Sequence, residues 1–127
     1  MRISTAAKKA RVGVETIRFY ERKGLIARPP RPATGFRTYD DEVVRRIRFI
    51  RQGQKIGFSL REIEELLSLR ADPSADSADV RDRAVAKLDE VDRKMRELGR
   101  VRAALEDLIA ACPGHGALRR CSILKSL

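Results

Sequence analysis

The stretch VETIRFYERKG, residues 14–24, decides the fold of the N-terminal half of the chain. Val14, Ile17 and Tyr20 recur at three-residue steps, which predicts a helix with one apolar face that the closing glycine ends. A shorter helix precedes it, and residues 11–13, RVG, separate the two. Two short helices joined by a three-residue turn with a glycine predict a helix-turn-helix, whose second helix enters the major groove of DNA.

A proline-rich segment follows the second helix. Residues 28–39, RPPRPATGFRTY, contain three prolines and a Thr-Gly pair, and then alternate Phe36 and Thr38 with Arg37 and Tyr39. This composition predicts a tight loop or a hairpin rather than a helix. We expect the segment to form a wing beside the recognition helix.

Two further helices complete a predicted DNA-binding domain at residues 1–70. The first begins near Asp40 with three acidic residues at its positive end, and Gly57 ends it. Ser59 and Glu62 then have the spacing of a capping box at the start of the next helix. Few aromatic residues and a charged fraction of 36% also favour a mainly α fold class.

A linker and one long helix follow. Residues 71–78, ADPSADSA, are small and polar and predict the linker. Residues 79–111 lack proline, and their apolar residues recur at three- and four-residue steps typical of a coiled coil, interrupted where Arg102 falls on the stripe: Ala84, Leu88, Val91, Met95, Leu98, Leu105 and Ile109. Such a helix is about 50 Å long, and the chain has too little else to cover it. We therefore expect a dimerisation helix that pairs with a second copy as an antiparallel coiled coil, giving a homodimer.

Positive charge is concentrated in the N-terminal half. Residues 1–61 contain 16 Lys or Arg against 5 Asp or Glu, whereas residues 62–127 contain 12 against 13. This asymmetry predicts a module that binds a polyanion, joined to a module with another task. Double-stranded nucleic acid is the expected partner. A membrane surface fits less well, because the basic residues occupy several short segments rather than one face of an amphipathic helix.

Other classes of protein find little support. No apolar run approaches the roughly 18 residues of a spanning helix, and the first residues, MRISTAAKKA, lack the apolar stretch of a signal peptide. We therefore expect a cytoplasmic location, where cysteines are reduced thiols. An enzyme is not expected, because the chain has one histidine, no glycine-rich phosphate loop and no recognisable carboxylate pair.

Five side chains are candidate DNA contacts. Arginine pairs with guanine or clamps a phosphate, whereas threonine and tyrosine hydroxyls mostly bind the DNA backbone. The candidates are Thr16, Arg18 and Tyr20 from the recognition helix and Arg37 and Tyr39 from the wing. The alternative interpretation is that Arg18 is a solvated surface charge and Tyr20 a ring of the core.

Cys112 and Cys121 flank the segment PGHGALRR just beyond the long helix. The proline and glycines end the helix and let the chain fold back, which brings the two sulfurs together. Thiolates are soft ligands that suit Cu(I), Ag(I), Au(I) or Hg(II). A zinc site would need more ligands, and His115 between two glycines is expected on the surface. The alternative is a pair of idle thiols.

Three motifs in this order resemble the MerR family of transcription regulators: TIRFYERKGLI at 16–26, GFRTY at 35–39 and IGFSLREI at 56–63. The likeness runs over essentially the whole chain. It implies a winged helix-turn-helix domain, an antiparallel coiled-coil dimer and an effector site at the end of each dimerisation helix. It also implies a regulator that activates an overlong promoter for RNA polymerase by distorting the DNA. Phe36 stands where the family usually has tyrosine.

Ser77 bears on the choice of metal. The resemblance aligns it with the start of the dimerisation helix, where sensors of divalent ions carry a cysteine that reaches the partner's loop. A serine here is similar to the copper-efflux branch, which responds to monovalent coinage ions, and a hydroxyl is a poor ligand for soft ions. The alternative role of Ser77 is a helix N-cap. The eight-residue spacing of the cysteines is more similar to the mercury sensors.

We therefore predict a metal-responsive activator in which residues 112–127 form the metal-binding loop and a short C-terminal segment. Cu(I) is the expected ion, with Ag(I) or Au(I) as close substitutes, and Cys112 and Cys121 are the ligands. A regulator that responds to Hg(II) and a sensor in which the thiols form a disulfide are the alternatives. A DNA-packaging protein does not explain why cysteines bracket a loop beyond the coiled coil.

Overall fold

The computed structural model describes all 127 residues and confirms the mainly α fold class, with no strand. The chain divides into two compact units, Met1–Val80 and Arg81–Leu127. The helices in chain order are α1 (Ile3–Ala10), α2 (Val14–Arg22), α3 (Asp41–Lys55), α4 (Leu60–Ala71), α5 (Ser77–Ala111) and α6 (Ser122–Ser126), with a 3-10 turn at Leu118–Arg120. No helix is both long enough and apolar enough to span a membrane.

The first unit is a small helical domain around one apolar core. Helix α1 packs against α2 and α3, and α3 packs against α4. The largest fully buried side chains are Tyr20, Ile17, Leu25, Ile47, Ile50 and Ile63. Burying a side chain of this size stabilises the fold by roughly 1.5–3 kcal/mol relative to leaving it exposed. The apolar face predicted from the spacing of Ile17 and Tyr20 therefore fixes how α2 sits on the domain.

The predicted helix-turn-helix is formed by α1, α2 and the turn at residues 11–13. Arg11 ends α1 in the left-handed region with a φ of 58°, and its backbone N–H donates to the Lys8 carbonyl at 3.2 Å. A residue with a Cβ costs about 1 kcal/mol more than glycine in this conformation. Arg48 of α3 donates from Nε to the Lys9 carbonyl at 3.1 Å, so it satisfies a carbonyl in the last turn of α1.

The wing segment, residues 28–39, is a loop without strands, so the hairpin alternative is wrong. Its three prolines lack the N–H groups that a strand ladder needs. The end of the loop is tied to the N-terminus by two backbone contacts. The Tyr39 N–H donates to the Met1 carbonyl at 2.7 Å, and the Met1 amine donates to the Tyr39 carbonyl at 2.8 Å.

The capping box predicted at the start of α4 is confirmed. The Ser59 N–H donates to Glu62 Oε1 at 2.8 Å, and the Glu62 N–H donates to Ser59 Oγ at 3.2 Å. These two bonds satisfy donors that the first turn of a helix otherwise leaves free. They fix the start of α4 directly after the glycine turn that ends α3.

The linker between α4 and α5 is shorter than the predicted 71–78, because α5 begins at Ser77 rather than at residue 79. Asp76 is the physical reason. Its Oδ1 accepts from the Ala78 N–H at 3.0 Å, and its own N–H donates to Asp79 Oδ2 at 2.9 Å. Asp76 therefore caps α5, and the alternative role of Ser77 as the N-cap is wrong.

Helix α5 carries most of the second unit and continues to Ala111. The apolar stripe predicted along it lies open in the single chain. Leu88, Met95, Leu98 and Ile109 are between 59% and 66% exposed. Soluble chains seldom leave such a row of large apolar side chains uncovered, which marks this face as a surface for association.

Candidate DNA interface and cysteine site

A basic cavity of about 800 Å³, here called the wing cavity, lies where α2 and the wing meet. Its charged lining is almost entirely guanidinium: Arg2, Arg18, Arg22, Arg28, Arg31 and Arg37. The one carboxylate in the lining, Glu21, is engaged by the Tyr39 hydroxyl, which donates to Oε2 at 3.1 Å. So many cations beside one occupied carboxylate favour an anionic ligand in this cavity.

Thr16 and Arg18 lie on the open side of α2. The Thr16 side chain is half-buried and Arg18 is exposed. Arg18 Nη1 lies 3.4 Å from Glu15 Oε1, a surface ion pair one turn back on the same helix. Exposed pairs of this kind contribute between about 0 and 1 kcal/mol, so the guanidinium is free to exchange Glu15 for a base edge or a phosphate.

Tyr20 and Tyr39 lie in the core, with 1% and 5% of their surfaces exposed. The Tyr20 hydroxyl donates to Gln54 Oε1 at 2.6 Å, and the Tyr39 hydroxyl is held by Glu21. Burial raises the pKa of both phenols, and Glu21 raises that of Tyr39 further. A DNA phosphate could accept a hydrogen bond from either hydroxyl only by displacing the acceptor that the hydroxyl has inside the protein. The structure thus favours the core-ring alternative for Tyr20, and contact of either hydroxyl with DNA stays a prediction.

Arg37 extends from the wing into the wing cavity. Its Nε is buried and has no hydrogen-bond partner, which leaves a charged group with an unsatisfied donor. Buried donors are nearly always paired, so this donor beside an open cavity is available to an acceptor from outside the protein. The sequence pattern placed Arg37 among the DNA contacts, and that contact stays a prediction.

Residues that the sequence motifs did not single out complete the wing cavity. The Arg2 guanidinium lies 4.0 Å from the centroid of the Phe36 ring, a cation–π contact that joins the N-terminus to the wing. Arg28 and Arg31 come from the proline-rich segment. The concentration of positive charge in the N-terminal half was the only sequence signal for them, because their meeting depends on the path of the loop.

The cysteine loop folds back on the end of α5, as the proline and glycines predict. Gly114 and Gly116 adopt φ values of 79° and 107°, which a residue with a Cβ rarely takes. The Ser122 Oγ donates to the Ala111 carbonyl at 3.0 Å and so joins the start of α6 to the last residue of α5. The loop therefore closes, with Cys112 at its beginning and Cys121 at its end.

The two sulfurs are brought together. Cys112 and Cys121 are free thiols, and both are half-buried. The backbone N–H of Leu124 lowers the pKa of Cys121 most, desolvation opposes it with the next largest effect, and the N–H of Ile123 and the nearby Cys112 thiol lower the pKa further. Cys121 is thus prepared to act as a thiolate.

Cys121 should be alkylated at lower pH than an ordinary cysteine. A lowered pKa keeps the thiolate present as the pH falls, so the rate of Cys121 with iodoacetamide should reach half its maximum at a lower pH in the folded protein than in the unfolded chain. The rate is followed by peptide mass spectrometry on the folded protein, with the unfolded chain as the reference. Equal pH midpoints for Cys121 in the folded and unfolded chains would contradict this prediction.

His115 and Ser77 lie outside the pair of sulfurs. His115 is exposed, and its Nδ1 lies 3.0 Å from the Pro113 carbonyl oxygen, which agrees with the expected surface position. Ser77 is exposed at the first turn of α5. Nowhere in the structure do three or more His, Cys, Asp or Glu side chains gather as a set of metal ligands.

Known proteins of one family resemble this chain over its whole length. The family described as "MerR HTH family regulatory protein" matches residues 1–69, and the one described as "MerR, DNA binding" matches residues 44–108. The HTH-type transcriptional regulator HmrR of Rhizobium leguminosarum bv. viciae is 43% identical, covering 100% of this chain and 97% of that protein. The mercuric resistance operon regulatory protein of Bacillus cereus is 38% identical, covering 99% and 96%.

A solved structure has the same fold. The transcription regulator PbrR691 from Ralstonia metallidurans CH34, in complex with lead(II), superimposes with a TM-score of 0.88. It is 38% identical, and the match covers 99% of this chain and 98% of that one. Agreement of sequence and fold over nearly full length leaves no part of the chain outside the likeness.

Proposed function

This chain belongs to the MerR family of metal-responsive transcription regulators, and on that premise we propose that it acts as a homodimer on promoter DNA. In this proposal Cys112 and Cys121 capture Cu(I), Ag(I) or Au(I). The dimer then distorts the promoter so that RNA polymerase can use it. The protein acts in the cytoplasm, where promoter DNA lies.

The observation that carries the proposal is the pairing of two thiols by the closed cysteine loop. Cys112 is near enough to lower the pKa of Cys121, both side chains are half-buried, and no third ligand joins them within the chain. A single chain therefore offers two thiolates, a set of donors that suits soft ions. A structural zinc site normally takes four ligands, so two sulfurs fit it poorly.

The charge of the site also favours a monovalent ion. Two thiolates around an ion of charge +1 leave a net charge of −1, which the surroundings must stabilise. The backbone N–H groups of Leu124 and Ile123 lower the pKa of Cys121, and their partial positive charges oppose this excess. Arg119 and Arg120 add two cations in the same loop.

Ser77 supports the same assignment. As a hydroxyl-bearing residue, it does not supply the third thiolate that trigonal Hg(II), Pb(II) or Zn(II) would use. Because Asp76 already caps α5, the Ser77 side chain is not required for capping. In this proposal the role of Ser77 is to select the metal, because it withholds a third thiolate from the site.

The switch follows from two DNA-bound states of the dimer. A ligand shifts such an equilibrium only by its different affinities for the two states, so the cysteine loop must pack differently in each. The segment from Ser122 to Leu127 is the proposed moving part. It is joined to the end of α5 by the hydrogen bond from Ser122 to Ala111, and its Leu124 and Leu127 side chains lie exposed.

Arg37→Ala tests the DNA-binding part of the proposal. We expect operator affinity to fall roughly 10-fold to 100-fold, because the side chain in the wing cavity loses its contact with DNA. Stability should not fall, because the substitution removes a donor that has no partner in the free protein. Fluorescence anisotropy with a labelled operator measures the change. Arg45→Ala, which breaks an exposed ion pair with Glu42, is the control of equal charge change. Unchanged affinity in Arg37→Ala would contradict the assignment.

Two other functions have specific support. A response to Hg(II) is supported by the mercuric regulator of Bacillus cereus among the relatives. A thiol redox sensor is supported by the lowered pKa of Cys121, to which the nearby Cys112 thiol contributes, because a thiolate beside a second thiol favours disulfide formation. Induction by oxidant in metal-free medium would favour the redox sensor over the metal sensor.

A further inference from the structure

A second basic cleft, here called the turn cleft, lies beside the helix-turn-helix turn and holds about 430 Å³. It is separate from the wing cavity and contains none of the residues that the sequence motifs singled out. Its lining is Ala10, Arg11, Arg48, Arg51, Gln52 and Lys55. Four of these six side chains are cations, and none is a carboxylate.

The four cations of the turn cleft are not neutralised within the protein. None of them forms an ion pair, whereas nearby Lys9 pairs with Asp41 and Arg45 pairs with Glu42. Arg48 and Arg51 use part of their hydrogen-bonding capacity on the Lys9 carbonyl and the Tyr20 hydroxyl. Arg11 and Lys55 are exposed. Like charges gathered without counter-charge repel one another, and an anion in the cleft relieves that repulsion.

The backbone of Arg11 is an independent observation. Five glycines adopt positive φ angles in this chain, and Arg11 is the one other residue that does so. Glycine would serve the end of α1 without strain, as glycine does at the other five positions. The left-handed angle itself serves to end α1. Arginine in place of glycine at this position adds an exposed guanidinium to the turn cleft.

The two clefts are formed by different parts of the domain. The wing cavity contacts α2 through Arg18, Glu21 and Arg22, whereas the turn cleft is lined by the end of α1 and by α3. A helix-turn-helix on DNA also contacts the phosphate backbone through residues outside its recognition helix.

We propose that the turn cleft binds a phosphodiester of the operator backbone, with Arg11 as the principal donor and Lys55 as a supporting charge. This inference rests on the proposed DNA-binding function and adds a contact to it. The contact carries no base information, so it strengthens binding to operator and non-operator DNA alike.

Arg11→Gly is the direct test, because it removes the charge and relieves the strain at once. We expect the slope of log affinity against log salt to fall by about 0.9 for each lost contact, which is about 2 for a dimer. Affinity at moderate salt should fall on the order of tenfold for operator and random duplex alike. The melting temperature should stay the same or rise. Arg11→Asn, which also tolerates a positive φ, should behave in the same way, and Arg45→Ala should leave the slope unchanged.

Other outcomes would overturn the inference. An unchanged salt slope in both Arg11 variants excludes a phosphate contact. Normal DNA binding with reduced transcription assigns the turn cleft to an acidic surface of RNA polymerase instead. A fall in melting temperature in both variants shows that Arg11 has a structural role. If Arg37→Ala weakens binding and the Arg11 variants do not, this inference alone fails. If the unaltered protein does not bind DNA, the proposed function fails with it.

Discussion

Cys112→Ala should abolish metal-dependent induction and leave operator binding unchanged. The substitution leaves one thiolate, and a single sulfur does not hold an ion that needs two. Operator binding should persist because the helix-turn-helix has its own core in Met1–Val80, whereas Cys112 belongs to the other compact unit. A reporter gene under the target promoter gives the induction, and a gel shift with metal-free protein gives the binding.

His115→Ala is the matched control for the cysteine substitution. It changes a neighbouring side chain of the same loop that is exposed and makes one local contact with the Pro113 carbonyl. Induction should survive in this variant and disappear in Cys112→Ala and Cys121→Ala. Loss of operator binding in the metal-free cysteine variants would contradict the separation of sensing from DNA binding.

Leu98→Glu should convert the dimer to a monomer and lower operator affinity by a factor on the order of 100 or more, because two linked half-sites bind far more tightly than one. Leu98 is 66% exposed in the single chain and lies on the apolar stripe of α5. A second copy that covers this stripe would bury the new carboxylate without a partner, in each of the two chains. Analytical ultracentrifugation gives the mass, and anisotropy gives the affinity.

Ala104→Glu controls for the added charge. Ala104→Glu makes the same change in charge, but residue 104 lies away from the stripe, because six residues at 100° per residue place it about 120° from Leu98 around the helix. This variant should remain dimeric. A dimeric Leu98→Glu protein, or an unaltered protein that is monomeric at micromolar concentration, would contradict the assignment of the stripe to dimerisation.

Local sequence signals predicted much of the architecture. The helix-turn-helix follows from the spacing of Ile17 and Tyr20 and from a short break with a glycine. The capping box at Ser59 joins residues three positions apart, and the folded-back cysteine loop is closed by residues eleven positions apart. Each of these features is decided by interactions that a short window of sequence contains, so they could be recognised before the structure.

Contacts between distant segments could not be predicted in this way. Tyr20 has a ring that suits a core and a hydroxyl that suits a phosphate, and Gln54, which is 34 residues away, fixes the hydroxyl inside the protein. Arg2 meets Phe36 across the N-terminus and the wing. The strain at Arg11 depends on a backbone angle that residue type alone would not suggest.

The start of α5 illustrates competition between neighbouring caps. Asp76 and Ser77 are both good N-cap residues, and the sequence does not rank them. In the structure Asp76 is the cap, because its carboxylate accepts from the Ala78 N–H, and the Asp79 carboxylate accepts from the Asp76 N–H. The reciprocal pair of bonds decided the boundary, and Ser77 became the first helical residue.

We propose that the thiolates of Cys112 and Cys121, without a third sulfur, select a monovalent soft ion. The relatives include a mercuric regulator and a lead-bound structure, so membership of the family does not by itself identify the ion. The direct measurement is promoter activation in vitro while the reduced protein is titrated with Cu(I), Ag(I), Hg(II) and Zn(II) in competition. We expect activation by Cu(I) and Ag(I) and none by Zn(II). A tight, activating response to Zn(II) would contradict the selection of a monovalent ion by two thiolates.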